Sequence, residues 1–220
     1  MTQRVWTEVD DYIAGLVIGD DPALDGALEA SDKAGLPQIA VSPSHGKLLH
    51  LIARIHGARK ILEIGTLAGY STIWLARALP PDGKLITLEY DARHAEVATA
   101  NIAGAGLADR VEVRVGAALD TLPTIAEEAP FDLFFIDADK VNNPKYVRWA
   151  IDNSRPGSVI IVDNVVRNGL VVDATSTDPA IVGTRELGSL LANEPRVSAT
   201  MVQTVGDKGY DGFALVLVES

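Results

Sequence analysis

Cysteine is absent from the 220 residues. That removes disulfides, thiolate catalysis and cysteine-ligated zinc, and it fits a cytoplasmic location. Long apolar runs are missing as well: stretches such as Val159 to Val162 are far too short to span a bilayer, so no membrane partner is expected. No secretory signal is read at the start, where Arg4 stands among Glu8, Asp10 and Asp11 instead of a basic start followed by an apolar stretch. Nor is there a run of Lys or Arg. Nineteen basic against thirty acidic residues leave a net charge of −11, which repels phosphate backbones, so nucleic acid is not an expected partner. No internal repeat, low-complexity tract or domain linker interrupts the chain. Its composition, 47% hydrophobic and 22% charged, is that of a globular protein. The length suits one domain over residues 1–220, with a helical part at 1–59 and an α/β part at 60–220.

From residue 60 onward, short apolar runs alternate with helix-like stretches. The predicted strands are Lys60 to Ile64, Lys84 to Glu89, Val111 to Val115, Phe131 to Asp137, Ser158 to Asp163, Ala199 to Thr204 and Phe213 to Val218. The first five are apolar nearly throughout, as strands buried on both faces of a parallel sheet are. Helices are predicted between them at Ser71–Leu79, Ala92–Ala105, Leu119–Glu128 and Pro144–Ser154. This alternation calls for a doubly wound, mostly parallel α/β sheet with right-handed crossovers. The last two strands leave no room for a helix, and the linker Val205 to Gly212 holds three glycines, so they read as an antiparallel hairpin at the sheet edge. Before residue 60 the chain looks helical. Asp21-Pro22 and Ser42-Pro43 are cap-plus-proline starts, the second opening a helix to about His56.

The segment Ile61-Leu62-Glu63-Ile64-Gly65-Thr66-Leu67-Ala68-Gly69-Tyr70-Ser71 runs from a buried strand through a two-glycine loop into a helix. Ligands of open α/β sheets sit at the carboxyl ends of such strands. Gly65 would let the backbone approach a cofactor, Gly69 would relieve crowding at the helix start, and Ser71 offers a hydroxyl there. The next strand ends in Glu89, placed to accept the hydroxyl hydrogens of an adenosine ribose. The dinucleotide fingerprint G-x-G-x-x-G needs a glycine where Leu67 stands, which disfavours a nicotinamide-dependent oxidoreductase against a methyltransferase.

Two further strands end in polar clusters: Asp137 with Asp139 and Lys140, and Asp163 with Asn164. They should meet at the same sheet edge as Gly65. Two carboxylates and an amide oxygen form a hard-oxygen set suited to Mg²⁺. No His or Cys lies nearby to favour zinc. An EF-hand loop is excluded because Asn142 stands where its glycine belongs.

The glycine segment resembles the first motif of class I methyltransferases, specifically the E-I-G-T-x-x-G-Y-S form of the catechol and caffeoyl-CoA O-methyltransferase family. The similarity continues through Leu88-Glu89-Tyr90, Val115-Gly116-Ala117-Ala118, Phe135-Ile136-Asp137-Ala138-Asp139-Lys140 and Val162-Asp163-Asn164, and so covers essentially the whole chain. It implies a Rossmann-like, seven-stranded class I methyltransferase fold and an S-adenosylmethionine pocket. That pocket would be built from Val41, Glu63, Gly65, Thr66, Gly69, Tyr70, Ser71, Glu89, Tyr90, Gly116, Ala117 and Asp137. Within it Ser71 would meet the methionine carboxylate, Glu89 the ribose and Ala117 the adenine edge. Asp137, Asp163 and Asn164 would match the family's metal ligands, with Mg²⁺ the expected ion, and Lys140 its catalytic lysine. The implied substrate is an aromatic vicinal diol, the implied reaction methylation of one hydroxyl, and the implied assembly a homodimer with the N-terminal helices near the interface. A non-catalytic binding module on the same fold is the remaining alternative beside the oxidoreductase.

The other candidates are weaker. His45, His50, His56 and His94 are scattered on predicted helices, Trp74 and Trp149 sit at core-like positions, and Tyr146, Tyr210 and Trp6 read as packing residues near a substrate pocket. Two places depart from the family pattern. Asn142 is followed by Asn143 and Pro144, so the usual aromatic is absent or displaced to Tyr146. The turn from Val205 to Gly212 is longer than the common G-D-G.

Overall fold

The computed structural model describes residues 2–220. Three helices come first: α1 (Gln3–Val17), α2 (Pro22–Lys33) and α3 (Pro43–His56). The predicted caps are in place. Asp21 accepts from the backbone N–H groups of Ala23 and Leu24, and Ser42 from that of His45. The alternating part follows as β1 (Lys60–Ile64), α4 (Tyr70–Ala76), β2 (Lys84–Glu89), α5 (Ala92–Gly104), β3 (Val111–Val115), α6 (Ala118–Thr121), β4 (Leu133–Ile136), α7 (Asn143–Asp152), β5 (Val159–Asp163), α8 (Pro179–Asn193), β6 (Val197–Gly206) and β7 (Gly209–Val218). The sheet order is β3-β2-β1-β4-β5-β7-β6, with β7 antiparallel to both of its neighbours and all other pairs parallel. Strand order therefore reverses between β1 and β4, and a crevice opens at their carboxyl ends.

Successive residues of the central strands serve opposite layers, as strand geometry requires. Leu62, Ile64, Phe134, Ile136, Ile160 and Val162 pack with the layer formed by α7, α8 and the 3₁₀ segment Leu122–Glu128. Ile61, Leu85, Leu133, Phe135 and Ile161 pack with α2 to α5. No helix among the described residues is long and apolar enough to cross a membrane.

Four expectations need correction. β3 is not buried on both faces: it is the sheet edge, Glu112 and Val115 are exposed, and the alternating Val-Glu-Val-Arg-Val pattern already carries that information. The helix expected at 119–128 is one α-turn that tightens into a 3₁₀ segment, since Pro123 has no N–H to continue the ladder. Helix α8 is absent from the predicted elements. Asp178 caps it, Pro179 opens it, and Ile181, Thr184, Leu187 and Leu191 form its buried stripe. Finally, the hairpin has no long linker, because pairing continues through Val205↔Tyr210 to Gly206↔Gly209, leaving only Asp207 and Lys208 in the turn.

Candidate active site

Where β1 ends, Gly65 turns with φ +102°, and a Cβ on it would overlap the carbonyl oxygen of Asp137 at the end of β4. The glycine thus lets two neighbouring strand ends close on one another, which brings the loop to the Asp137 cluster. Gly65→Ala should cost about 2–4 kcal/mol of stability, combining left-handed strain with the overlap. Urea unfolding reads this, and an unchanged midpoint would refute the close-approach account. Gly69, at φ +85°, begins α4, and a Cβ on it would lie 3.4 Å from the side chains of Ala98 and Ile102 on α5.

The loop is held from below and from the side. Glu63 is fully buried and accepts hydrogen bonds from Ser71 Oγ (2.7 Å), Thr87 Oγ1 (2.7 Å) and Thr72 Oγ1. Burial pushes its carboxyl up to about 7, against the opposing pull of these three hydroxyls. Glu89 Oε2 accepts from the N–H groups of Thr66 (3.1 Å) and Leu67 (2.8 Å), pinning Leu67 at φ +51°. Its Oε1 accepts from Asp91 N (3.0 Å) and lies 3.5 Å from His94 Nδ1.

These elements border one cleft of about 1130 Å³. Val41, Gly65, Thr66, Tyr70, Ser71, Glu89, Tyr90, Gly116, Ala117 and Asp137 all line it. Glu63 and Gly69 do not: Glu63 lies behind the wall and orients Ser71, while Gly69 shapes the start of α4. Asp139, Lys140, Asp163 and Asn164 line the same cleft, so both strand-end clusters meet the glycine loop.

Within the cluster, Lys140 is buried and donates to Asp137 Oδ1 at 2.7 Å. It does not pair with Asp139, whose carboxylate is taken by Tyr146 Oη (2.5 Å) and Asn142 Nδ2 (2.6 Å). The turn carrying Lys140 packs under α8, where Gly183 leaves no room for a Cβ against the Lys140 carbonyl. Asp163 is only 6% exposed. Burial and then the neighbouring Asp137 carboxylate push its carboxyl up to about 7. Asn164 follows at φ +59°, a left-handed conformation that asparagine tolerates.

Two side chains carry little weight in the sequence yet stand at the site. Contrary to the expectation that no histidine lies near the carboxylate cluster, His45 Nδ1 is 3.7 Å from Asp163 Oδ2; its ring lies 5.5 Å from that of Phe213, and burial holds its imidazole below the ordinary range. Its place in the first turn after the Ser42 cap is the available signal. Arg167, on the loop after β5, also lines the cleft, and no local motif points to it. Trp74 and Tyr146 are buried as core residues, and Tyr146 in addition faces the cleft.

Comparison with known proteins agrees with this geometry. The profile of the O-methyltransferase family matches residues 18–217. The chain is 56% identical over 211 residues to a catechol O-methyltransferase of Mycobacterium tuberculosis, covering 96% of this chain and 95% of that one. It is 50% identical to a catechol O-methyltransferase of Niastella koreensis over the full length of both. Among solved structures, an O-methyltransferase from Bacillus cereus in complex with SAH superposes with a TM-score of 0.98 at 55% identity, over 99% of this chain and 100% of the other. An O-methyltransferase of tomaymycin synthesis from Streptomyces achromogenes, in complex with SAM, gives 0.97 at 51% identity over 100% of both chains. With the glycine loop, the acidic strand end and both polar clusters at one crevice, this chain belongs to the O-methyltransferase family.

Proposed function

We propose that this protein transfers the methyl group of S-adenosylmethionine to one hydroxyl of an aromatic vicinal diol, with a divalent cation, Mg²⁺ or a similar ion, as a required partner. The observation that carries the reading is the meeting of Asp137, Lys140, Asp163 and Asn164 with the Gly65 loop in one cleft. The cofactor portion is supported by relatives whose structures hold SAH and SAM. The diol portion is supported by relatives named catechol O-methyltransferase.

The donor set fits a divalent cation. No group of three His, Cys, Asp or Glu is arranged for a metal among the described residues, and the candidate ligands are instead two carboxylates and one amide. Asp163 is buried within electrostatic reach of the Asp137 carboxylate, and Lys140 offsets their repulsion only in part, so a divalent cation would be favoured between them. Asp137, Asp163 and Asn164 would hold the ion. When bound, it would acidify a coordinated diol hydroxyl and fix its oxygen for attack on the sulfonium methyl. Lys140 would take the hydroxyl proton at Nζ, which Asp137 Oδ1 holds in place at 2.7 Å. Glu89 would bind the ribose through Oε1, which keeps acceptor capacity, while Oε2 stays committed to the loop.

A methyl-transfer screen over catechol, caffeate and caffeoyl-CoA, with and without Mg²⁺, tests the reading, and absence of product from all three would overturn it. Glu89→Ala should weaken S-adenosylmethionine by about 1–3 kcal/mol, since hydrogen bonds to a charged acceptor are lost and the Thr66 and Leu67 N–H groups are freed. Calorimetry on the folded variant checks it, and unchanged affinity would remove Glu89 from the ribose site. A homodimer is part of the proposal. Helix α1 buries no residue within the chain and exposes Val9, Tyr12, Ile13, Leu16 and Val17, an apolar set that a second copy would cover. Sedimentation should show a dimer at micromolar concentration, weakened by Leu16→Asp.

A further inference from the structure

Beyond Asn164 the cleft continues along the loop that follows β5, where left-handed backbone is concentrated. Asn164, Arg167 and Asn168 have φ of +59°, +56° and +56°. Such residues persist only where their surroundings over-determine them. Here β7 supplies the restraint. Asp211 Oδ1 accepts from the N–H groups of Val166 (3.0 Å), Arg167 (2.9 Å) and Gly212 (3.0 Å), and Asn168 N donates to the Tyr210 carbonyl at 3.1 Å. The loop is thereby fixed in a shape that places Arg167 on the cleft wall.

The hydrogen-bonding capacity of that arginine is almost unspent. Its Nε is buried without a partner. Its Nη1 stands 3.9 Å from Asp211 Oδ2, close enough for charge attraction and too far for a hydrogen bond. Among the described residues, three Lys or Arg side chains line the cleft. Lys140 is taken by Asp137, and Lys208 is exposed in the β6–β7 turn. Arg167, with its side chain 34% exposed, is the one left partly desolvated with open donors. A guanidinium held this way offers a planar fork that matches a carboxylate.

We propose that Arg167 is a specificity-determining residue that binds an anionic group, a carboxylate or a phosphate, carried by the diol substrate, so that the preferred substrates are acidic diols. This rests on the diol O-methyltransferase reading above. The alternative, that Arg167 only balances Asp211, predicts equal effects on every substrate.

The test compares wild type, Arg167→Met and Arg167→Lys on catechol, caffeate and caffeoyl-CoA, with S-adenosylmethionine and Mg²⁺ present. The neutral variant should raise KM for the anionic substrate roughly 10- to 100-fold, the range for a charge-assisted pair, and change KM for catechol less than threefold. Arg167→Lys should fall between and also serves if the Met variant does not fold. Selective loss with caffeate identifies a carboxylate, and selective loss with caffeoyl-CoA alone identifies its phosphates. Titrating caffeate and caffeoyl-CoA into the enzyme loaded with S-adenosylhomocysteine should show the same selective weakening without turnover. Equal changes on all three substrates, or none on any, would overturn the assignment while leaving the diol reading intact. If wild type methylates none of them, the diol reading itself fails and the role of Arg167 falls with it.

Discussion

EDTA should abolish methyl transfer and added Mg²⁺ should restore it. The expectation comes from the electrostatics of Asp163. This carboxyl is almost wholly buried, and burial, then the charge of nearby Asp137, pushes it up to about 7. Two carboxylates at close quarters in a low-dielectric cleft repel strongly, and the Lys140 ammonium on Asp137 offsets this only in part. A divalent cation would relieve the repulsion, and the same residues would supply its oxygens. Asp163→Ala and Asn164→Ala should raise the Mg²⁺ requirement and leave S-adenosylmethionine affinity nearly intact. Full turnover in enzyme stripped of metal would mean that the cluster is structural.

The same group makes a second, independent statement about stability. A carboxyl raised in the folded state binds its proton more tightly there than in the unfolded chain. Its contribution is therefore most favourable at low pH and is lost as pH rises from about 3.8 to about 7. At pH 8, Asp163→Asn should stabilise the metal-free protein by about 1–3 kcal/mol while crippling Mg²⁺-dependent activity. Glu63, raised from 4.5 to about 7, adds a slope of the same sign that this variant leaves in place. Denaturant melts of metal-free wild type and variant at pH 5 and pH 8 read the difference. A variant no more stable than wild type at pH 8 would contradict the account of Asp163 as a strained buried acid.

How much of this is legible in the sequence depends on the range of the forces involved. The central strands are legible because each is a short apolar run closed by a glycine or an acid, so β1, β2 and β5 begin or end within a residue of expectation. The site is legible because those polar ends mark the carboxyl edge of the sheet, where topology brings Gly65, Glu89, Asp137 and Asp163 together without any further information. What is not legible depends on distant partners. Asp211 is 44 residues from Arg167, whose N–H it holds, so nothing near Arg167 announces it. Lys140 has acids at both 137 and 139, and only Tyr146 and Asn142, by taking Asp139, decide between them. Helix α8 is a different kind of miss. Its Asp178-Pro179 start and buried stripe are in the sequence, but Gly183 and Gly188 weaken the helical reading, and Gly183 is there because the Lys140 turn packs against it.

Lys140→Met should lower kcat by roughly 10²–10⁴, the usual contribution of a positioned general base, with little change in S-adenosylmethionine affinity. Lys140 is 9% exposed, on a short turn braced by α8, with Nζ 2.7 Å from Asp137 Oδ1. A surface lysine would be free to move, and its loss would cost almost nothing. This one is fixed among the residues proposed to hold the cation, so a diol hydroxyl brought to that cation would meet Nζ over a short path. Because Met keeps most of the aliphatic stem, the substitution removes the amine and leaves the packing nearly unchanged. It also removes the countercharge of Asp137, which should tighten metal binding slightly. The variant therefore separates a base from a charge partner. If Lys140 acts only by balancing Asp137, the rate at neutral pH and saturating Mg²⁺ should stay near that of wild type. If Lys140 is the base, the rate should fall despite Mg²⁺, but raising the pH should recover part of the activity as the bound diol ionises without help. Rate profiles of wild type and Lys140→Met from pH 6 to 9.5, at saturating Mg²⁺, distinguish the two. A variant with wild-type kcat across that range would eliminate the base assignment even if methyl transfer to a diol is established.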